Sequence, residues 1–502
     1  MDEARRRTLV ATLLGALPLA PRPALAQAAP AATPPLPDCE LCRVRLQTVE
    51  ALRQRLPAGW QATLEPEPVL GGELLVVQAG ARDAPPLLLV HGLGQNGFGD
   101  WLPVMGPLAR RWRVTAVDLP GFGYSSPPAA RLSPKNLARV LDQLLARQGL
   151  PALPVVGHSM GAAVALRLAA DFPARVASLV MVSAAGILHR TAFSKHATIG
   201  QLPSEGWPEV LKEPAARLRD LGHILVERIM GLPFDPTEVL RANEWLWPLV
   251  LRDRSSVNAA LALVDEDFSA AVHTLRQAVH LVWGDADNVA PLRTGELLAR
   301  RLPQAQLHTL RSVGHVPMAQ ATGDFLAVLD RALATPPQPR PPLPAHEGPL
   351  ADLVCIGEVD RRYRGRYRTV RIERCSALQL VDLVAERIEV RDAIVQMTGV
   401  TVQGGDLALD VTNSELVATA CDFAGRQAIR CDGARLDLAG VHLQAQAFAV
   451  QALRRSRLVA SVSQVRDAMY NGWWHEDREL EGELLNPASP RRPAERQAPA
   501  PR

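Results

Sequence analysis

The chain has 502 residues, with 55 Lys and Arg against 52 Asp and Glu and a net charge of +3. Hydrophobic residues make up 47% and charged residues 21%, close to the average for globular proteins, which excludes wholesale disorder. At about 150 residues per domain, this length predicts two or three domains. The small net charge and an aromatic content of 4% provide neither a phosphate-binding field nor enough stacking surfaces, so we expect no nucleic-acid partner.

The N-terminus has the pattern of an export signal. Three arginines at positions 5–7 precede an apolar run from Thr8 to Ala20, and Ala24-Leu25-Ala26 has the small residues that signal peptidase requires. We expect residues 1–26 to be a signal peptide and the protein to be periplasmic or secreted. Residues 6–10 resemble a twin-arginine signal, with an ordinary secretory signal as the alternative. No apolar run reaches the roughly 18 residues that cross a bilayer, so we expect no membrane span.

Six cysteines bear on the same compartment, because an oxidising space favours disulfides over free thiols. Cys39 and Cys42 have the spacing of a redox or metal pair, but the surrounding sequence has neither a thioredoxin-like pattern nor further ligands, which favours a structural bridge. In the C-terminal part we expect bridges within two further pairs, with other pairings still open. These pairs are Cys421 with Cys431 and Cys355 with Cys375.

From about residue 70 to 335, after an N-terminal extension over 27–69, strand-like apolar runs alternate with helical patterns. This alternation predicts βαβ units and a parallel sheet covered on both faces. The predicted strands are Leu87–Val90, Val114–Val117, Pro154–Val156, Leu179–Val182 and Val279–Trp283, and the predicted helices are Asn136–Arg147, Ala162–Phe172 and Leu292–Leu302.

Two segments interrupt or end this first domain. Between about residues 187 and 268 the strand pattern stops, and prolines separate helical segments, which indicates an inserted helical cap. The sequence leaves open whether the cap aromatics form its core or contact substrate; they are Trp207, Phe234, Trp245 and Trp247. Residues 336–349 are rich in proline and predict a stiff, extended linker.

A short β-rich motif recurs after the linker. Its copies begin at Val400, Cys421 and Val441, which are 21 and 20 residues apart. A recurrence near 20 residues indicates stacked coils that bury their inward-facing side chains against one another. We therefore expect residues 350–480 to form a small right-handed parallel β-helix. The tail over 486–502 has little apolar content, so we expect it to be disordered.

The sequence Gly157-His158-Ser159-Met160-Gly161 places a serine between a predicted strand and a predicted helix. This is the context of a nucleophile elbow, a sharp turn at which side chains on the flanking residues would collide. Glycine at both flanking positions fits that requirement. We expect His158 to pack beneath the turn.

Four further features occur in a fixed order around this elbow. With them, the region from about residue 70 to 333 resembles the α/β-hydrolase family, and the resemblance covers about half of the chain. The predicted fold is therefore an α/β-hydrolase with a parallel sheet and an inserted helical cap, followed by the β-helix. The four features are His91-Gly92-Leu93-Gly94, Asp118-Leu119-Pro120-Gly121-Phe122-Gly123, Trp283-Gly284-Asp285-Ala286-Asp287 and Gly314-His315.

The resemblance implies a role for each of five residues. Ser159 would attack an acyl carbonyl, His315 would take its proton and pass it to the leaving group, and Asp287 would orient the imidazole. The backbone N–H groups of Leu93 and Met160 would stabilise the oxyanion. We expect neither a cofactor nor a metal.

The acid and the base both have rivals in the sequence. Asp285 follows the same glycine as Asp287, but the family places its acid three residues after that glycine. Only His315 follows a glycine in a loop shortly after a strand-like run, here 306–310. The competing histidines are His273, His280 and His308.

A serine at the elbow suits acyl transfer to water, whereas relatives with aspartate at that position attack carbon. The sequence therefore predicts an exported serine hydrolase that cleaves an ester-type bond of a small-molecule or polysaccharide-linked substrate. One alternative is a carbon–carbon bond or lactone hydrolase of the same fold. Another is a carbohydrate- or envelope-binding protein in which the β-helix dominates. The acyl and leaving groups stay open.

Overall fold

The computed structural model describes residues 40–94, 96–192, 251, 254–338 and 349–488, with the backbone alone for 40–47. The predicted signal peptide lies outside the described residues. So do Cys39, the side chain of Cys42, residues 193–250 and 252–253 of the predicted cap with its four aromatics, residues 339–348 of the linker and the tail from 489 onward.

The first domain is built on an eight-stranded sheet with the order β1-β2-β4-β3-β5-β6-β7-β8. From β4 to β8 all neighbouring strands are parallel, as predicted, but β1 and β2 are antiparallel additions at one edge, so the sheet is mixed. The strands are β1 (Gln61–Pro66), β2 (Glu73–Ala79), β3 (Pro86–Val90), β4 (Arg113–Val117), β5 (Leu153–His158), β6 (Val176–Val182), β7 (Ala278–Gly284) and β8 (Ala305–Leu310).

Helices cover both faces of this sheet. The strand side chains alternate between two apolar layers: Leu88 and Val90 pack in one, and Leu87 and Leu89 pack in the other. This is the two-residue period of a strand that is buried on both sides. The described helices are α1 (Glu40–Arg55), α2 (Leu102–Leu108), α3 (Pro134–Arg147), α4 (Met160–Asp171), α5 (Ser255–Val264), α6 (Ser269–Thr274), α7 (Leu292–Arg301), α8 (Pro317–Gln320) and α9 (Thr322–Ala334).

Local sequence accounts for where the central helices begin. α3 begins after Ser133, whose hydroxyl accepts a hydrogen bond from the Asn136 amide at 3.2 Å, with Pro134 at the first helical position. α4 is apolar on nearly every side, and its residues from Met160 to Leu166 are buried. A helix of that kind must lie inside the molecule, which fixes it against the sheet directly behind Ser159.

The C-terminal domain is a stack of parallel strands resembling a β-helix, as the 20-residue recurrence predicts. Thr401, Asp422 and His442 lie in register on adjacent coils, so the recurring motifs are stacked as expected. The strands are β9 (Leu353–Ile356), β10 (Arg362–Glu373), β11 (Leu378–Arg391), β12 (Ile394–Thr398), β13 (Thr401–Gln403), β14 (Leu407–Thr412), β15 (Glu415–Thr419), β16 (Asp422–Asp432), β17 (Arg435–Ala439), β18 (His442–Ala452), β19 (Ser456–Arg466) and the antiparallel β20 (Asn471–Leu480).

The predicted disulfides in this domain were wrong, since all four of its cysteines are buried free thiols. Cys421 directly precedes β16 and Cys431 lies near its far end. Their thiols make separate contacts: Cys421 Sγ donates to the Thr419 carbonyl oxygen at 3.4 Å, and Cys431 Sγ donates to the Gln451 carbonyl oxygen at 3.5 Å. For Cys355, burial and a hydrogen bond with Cys375 raise the thiol pKa to about 12, which disfavours the thiolate needed for oxidation.

No helix among the residues that the structure describes is both long and apolar enough to cross a membrane.

Candidate active site

Ser159 lies at the turn from β5 into α4, with φ at +53° and ψ at −117°. Such a backbone conformation costs a non-glycine residue about 1–3 kcal/mol and must be held by its surroundings. The Ser159 amide donates to the Val182 carbonyl at 2.9 Å, which ties the turn to β6. A Cβ at Gly157 would lie 2.4 Å from the Gly161 carbonyl oxygen, and one at Gly161 would lie 2.3 Å from that of His91. The close approach therefore requires both glycines.

Three of the predicted side chains form one hydrogen-bonded chain. His315, in the loop after β8, has its Nε2 3.0 Å from the Ser159 hydroxyl. Its Nδ1 lies 2.9 Å and 3.1 Å from the two carboxylate oxygens of Asp287. All three residues are buried. With Nδ1 donating to the carboxylate, Nε2 is left to accept the serine proton.

Two backbone amides hold the Asp287 carboxylate in place. The N–H groups of Val289 and Ala290 each donate to its Oδ1 at 2.9 Å. Burial acts to raise the Asp287 pKa, but the His315 ring and these hydrogen bonds outweigh it, so the pKa is below its ordinary value. Asp285 instead accepts a hydrogen bond from the Ser312 amide at 2.6 Å, which links the loop after β7 to the loop after β8.

The two predicted oxyanion-hole residues lie on segments that touch at the serine. Met160 is the first residue of α4, where helix N–H groups point outward and favour negative charge. Leu93 follows Gly92 in the loop after β3. A Cβ at Gly92 would lie 3.2 Å from the Ser159 Cβ, so this loop runs directly past the serine. The arrangement suits two amides converging on an oxygen beside Ser159.

His158 does more than pack beneath the turn. Its Nε2 donates to the backbone carbonyl of His315 at 2.8 Å, linking the serine turn to the loop that carries the histidine. Burial lowers the His158 pKa to about 3, so the ring is neutral, and its Nδ1 has no hydrogen-bond partner in the described part of the chain. The sequence offered no signal for this contact beyond the adjacency of His158 to Ser159.

His91 braces the loop that carries Leu93. Its Nδ1 lies 2.6 Å from the Gly92 carbonyl oxygen, and its Nε2 accepts from the Leu119 amide at 3.0 Å. Burial lowers its pKa to about 4. A neutral ring with a proton on Nδ1 satisfies both contacts.

Two carboxyl groups near this loop, the buried Asp118 and the partly buried Asp100, were not predicted. Asp118 accepts from the amides of Phe98 at 2.6 Å and Tyr124 at 2.8 Å, and burial raises its pKa to about 6. Burial likewise raises the pKa of Asp100 to about 6, against hydrogen bonds from Asn96 and Gly92. The motif beginning at Asp118 marked the first of these positions in the sequence without indicating its role.

The competing histidines make contacts elsewhere. His280 and His308 contact each other at 3.0 Å, and His280 also contacts the Thr335 carbonyl oxygen. His273 lies against His442 and stacks on Trp473 of the β-helix. Across the described residues, no group of three or more His, Cys, Asp or Glu side chains is arranged to hold a metal ion.

Comparison with known proteins agrees with this architecture. The sequence model of the alpha/beta hydrolase fold family matches residues 85–322. The 2-hydroxymuconate semialdehyde hydrolase of Pseudomonas sp. (strain CF600) is 30% identical over 261 residues, which span 49% of this chain and 88% of that protein. The pimeloyl-[acyl-carrier protein] methyl ester esterase of Nitrosomonas europaea is 28% identical over 260 residues, spanning 49% of this chain and 95% of the esterase.

The chain belongs to the α/β-hydrolase family, and the match falls on the domain that carries Ser159. Among solved structures, a hydrolase from Pseudomonas aeruginosa is 22% identical, with a TM-score of 0.42 and coverage of 56% of this chain and all of that one. The family and its curated relatives support a hydrolase.

Proposed function

We propose that the protein is a serine hydrolase that cleaves an ester-type bond through an acyl-enzyme intermediate. The observation that carries this proposal is the 3.0 Å contact between His315 Nε2 and the Ser159 hydroxyl, with Asp287 on the opposite ring nitrogen. A serine hydroxyl is a weak nucleophile at its own pKa, and a positioned base of near-neutral pKa relieves that weakness.

Each step of the proposed reaction is assigned to a named group. His315 takes the Ser159 proton as the oxygen attacks the acyl carbonyl, and Asp287 stabilises the imidazolium that forms. The amides of Leu93 and Met160 bind the developing oxyanion. Loss of one such donor typically costs about 2.7–4 kcal/mol in the barrier. His315 then protonates the leaving group, and water, activated by the same base, releases the acid.

A carbon–carbon bond hydrolase is the second candidate. It is supported by the relative named 2-hydroxymuconate semialdehyde hydrolase, which is 30% identical. The ester proposal is supported by the relative named as a methyl ester esterase, at 28%. The two reactions share the nucleophile and differ in the leaving group, which is an alkoxide in one and a carbanion in the other.

We also propose that the protein is exported. Three features of the sequence support this: the arginines at 5–7, the apolar run from Thr8 to Ala20 and the small residues at 24–26. Cell fractionation with a C-terminal tag tests this, since export requires the mature form outside the cytoplasm and an uncleaved cytoplasmic chain would refute it. A carbohydrate or envelope contact by the β-helix stays a prediction, tested by retention on cell-wall material.

The reaction is tested with short-chain p-nitrophenyl esters, a vinylogous 1,5-diketone and a fluorophosphonate probe. We expect Ser159→Ala to abolish turnover and probe labelling, and Asp287→Asn to lower kcat by on the order of 10³- to 10⁴-fold. Asp285→Asn, two residues away in the same loop, is the matched control and should leave the rate nearly unchanged. Labelling that survives Ser159→Ala would refute the nucleophile. Cleavage of the diketone but of no ester would favour the second candidate.

A further inference from the structure

The β-helix presents one corner to the hydrolase domain. At this corner successive coils turn through a residue with positive φ, so the backbone bends sharply at the same place on each coil. These residues are Asp382, Gly399, Ala420, Gly440 and Val462. Positive φ is uncommon for residues other than glycine. Its repetition at the same place on successive coils gives a row of turns along one edge of the β-helix, here called the ladder. Helix α7 of the hydrolase domain lies against this ladder.

The contacts of α7 with the ladder occupy one face of the helix. Arg300 pairs with Asp382 at 3.1 Å, and Arg301 donates to the carbonyl oxygens of Gly440 at 2.6 Å and Cys421 at 2.9 Å. Leu297 packs so closely on Gly440 that a Cβ there would lie 2.9 Å from the leucine Cγ. The β-helix is therefore docked along the length of the helix.

The contact nearest to the start of α7 is made by Arg293. Its guanidinium forms two hydrogen bonds with the Asp437 carboxylate, at 2.7 Å and 3.1 Å, and a third with the Thr419 hydroxyl at 3.2 Å. The two charged side chains are only 20% and 10% exposed. A paired, forked contact of this kind fixes direction as well as distance.

Arg293 lies three residues after Ala290, whose amide holds the Asp287 carboxylate at 2.9 Å. The segment between them is short, and backbone hydrogen bonds hold both of its ends. The Ala290 carbonyl accepts from the Trp283 indole at 2.9 Å, and the Thr294 amide donates to the Pro291 carbonyl at 2.8 Å. A shift of the first turn of α7 therefore acts on the segment that ends at Ala290, whose amide holds the Asp287 carboxylate.

We propose that Asp437 of the β-helix, acting through Arg293, is a positioning residue for Asp287. That Asp287 is catalytic rests on the proposed function. That a residue of the β-helix helps to hold the loop after β7, here called the acid loop because it carries Asp287, does not depend on it. The β-helix then helps to position a catalytic side chain of the hydrolase domain, whether or not it also binds a ligand.

Removal of the Asp437 charge leaves the Arg293 guanidinium partly buried beside a neutral amide. The guanidinium then gains by turning toward water, and the first turn of α7 moves with it. Because small misplacements of catalytic groups cost up to about 100-fold, we expect kcat to fall by on the order of 10-fold in Asp437→Asn. KM should change little, since nothing in this contact touches the space beside Ser159.

Asp410→Asn is the matched control. Asp410 forms a two-pronged pair with Arg430 inside the β-helix, and its side chain is 8% exposed, close to the 10% of Asp437. Both variants remove one carboxylate charge from a forked arginine pair, but only Asp437 is joined to α7. Equal losses of stability with unequal effects on kcat would separate positioning from general weakening of the domain.

The experiment measures kcat and KM on a p-nitrophenyl ester, together with amide hydrogen exchange of the peptide covering residues 287–294, in the full chain. We expect faster exchange and lower kcat in Asp437→Asn, neither in Asp410→Asn, and recovery of most of the rate in Asp437→Glu. Identical exchange in the two asparagine variants would overturn the proposal. If wild-type protein hydrolyses no ester, the proposed function fails, while the exchange comparison still decides the positioning role. Should Asp437→Asn not fold, Arg293→Lys gives the same comparison.

Discussion

His158 allows a sharp test of how the site is held. Its neutral ring donates one hydrogen bond, from Nε2 to the backbone carbonyl of His315, and its edge packs on Trp101 with ring centroids 6.5 Å apart. His158→Phe keeps an aromatic ring of similar size at this position but removes the donor. The carbonyl of the loop that carries the imidazole is then left buried without that partner.

The size of the effect follows from that carbonyl. A buried acceptor that loses its donor costs about 1–3 kcal/mol, which is relieved only if the loop moves toward water. If the movement is complete and the whole cost falls on the transition state, kcat falls by about 5- to 150-fold. If the loop stays in place, the same free energy appears as lost stability, and kcat is unchanged.

The assay therefore measures both quantities on the same preparations. Initial rates on a p-nitrophenyl ester give kcat, and urea unfolding gives the free energy of unfolding, for wild type, His158→Phe and His158→Gln. The glutamine amide nitrogen reaches nearly the same position as Nε2, so we expect His158→Gln to regain most of what His158→Phe loses. Wild-type rate and stability in His158→Phe, or an equal defect in both variants, would refute the reasoning.

Two further predictions concern stability. Gly440→Ala should destabilise the protein by about 1–3 kcal/mol more than Gly482→Ala, because both residues have φ near +60° but only Gly440 lies against Leu297; equal urea midpoints for the two variants would contradict the close packing. Burial lowers the pKa of His91 to about 4, so the folded protein favours the neutral ring. Above the unfolded-state pKa near 6.5, this preference adds roughly 3 kcal/mol to the free energy of unfolding, and the gain is lost as the pH falls through 4. His91→Gln should flatten the decline in unfolding free energy between pH 7 and pH 4, and an unchanged slope would argue against a neutral buried ring.

Much of the hydrolase domain could be predicted because its signals are local. The strands covered on both faces appear as short apolar runs, and the run predicted at Leu87–Val90 is strand Pro86–Val90 in the structure. The turn at Ser159 is marked by glycines whose absent side chains the structure explains directly. The β-helix coils were readable for the same reason, since a repeat of near-constant length needs no knowledge of distant contacts.

The remainder depends on pairs that are distant in sequence. His158 and the His315 carbonyl are 157 positions apart, and Arg293 and Asp437 are 144 apart. A single polar contact of this kind leaves no periodicity and no composition signal. The disulfide prediction failed for a different reason. An argument from the compartment and the even number of cysteines takes no account of where strand β16 places Cys421 and Cys431.

The proline-rich linker predicted a second module after the hydrolase domain, and buried contacts join the two. Ala439, Val459 and Val462 of the β-helix are buried within the same apolar cluster as the strands and helices around Ser159. Each would face water if the domains separated, and the charged residues of α7 would lose their partners at the same time. The chain therefore has two folds but, at this junction, one shared core, so the arrangement of the acid loop depends on residues more than a hundred positions downstream.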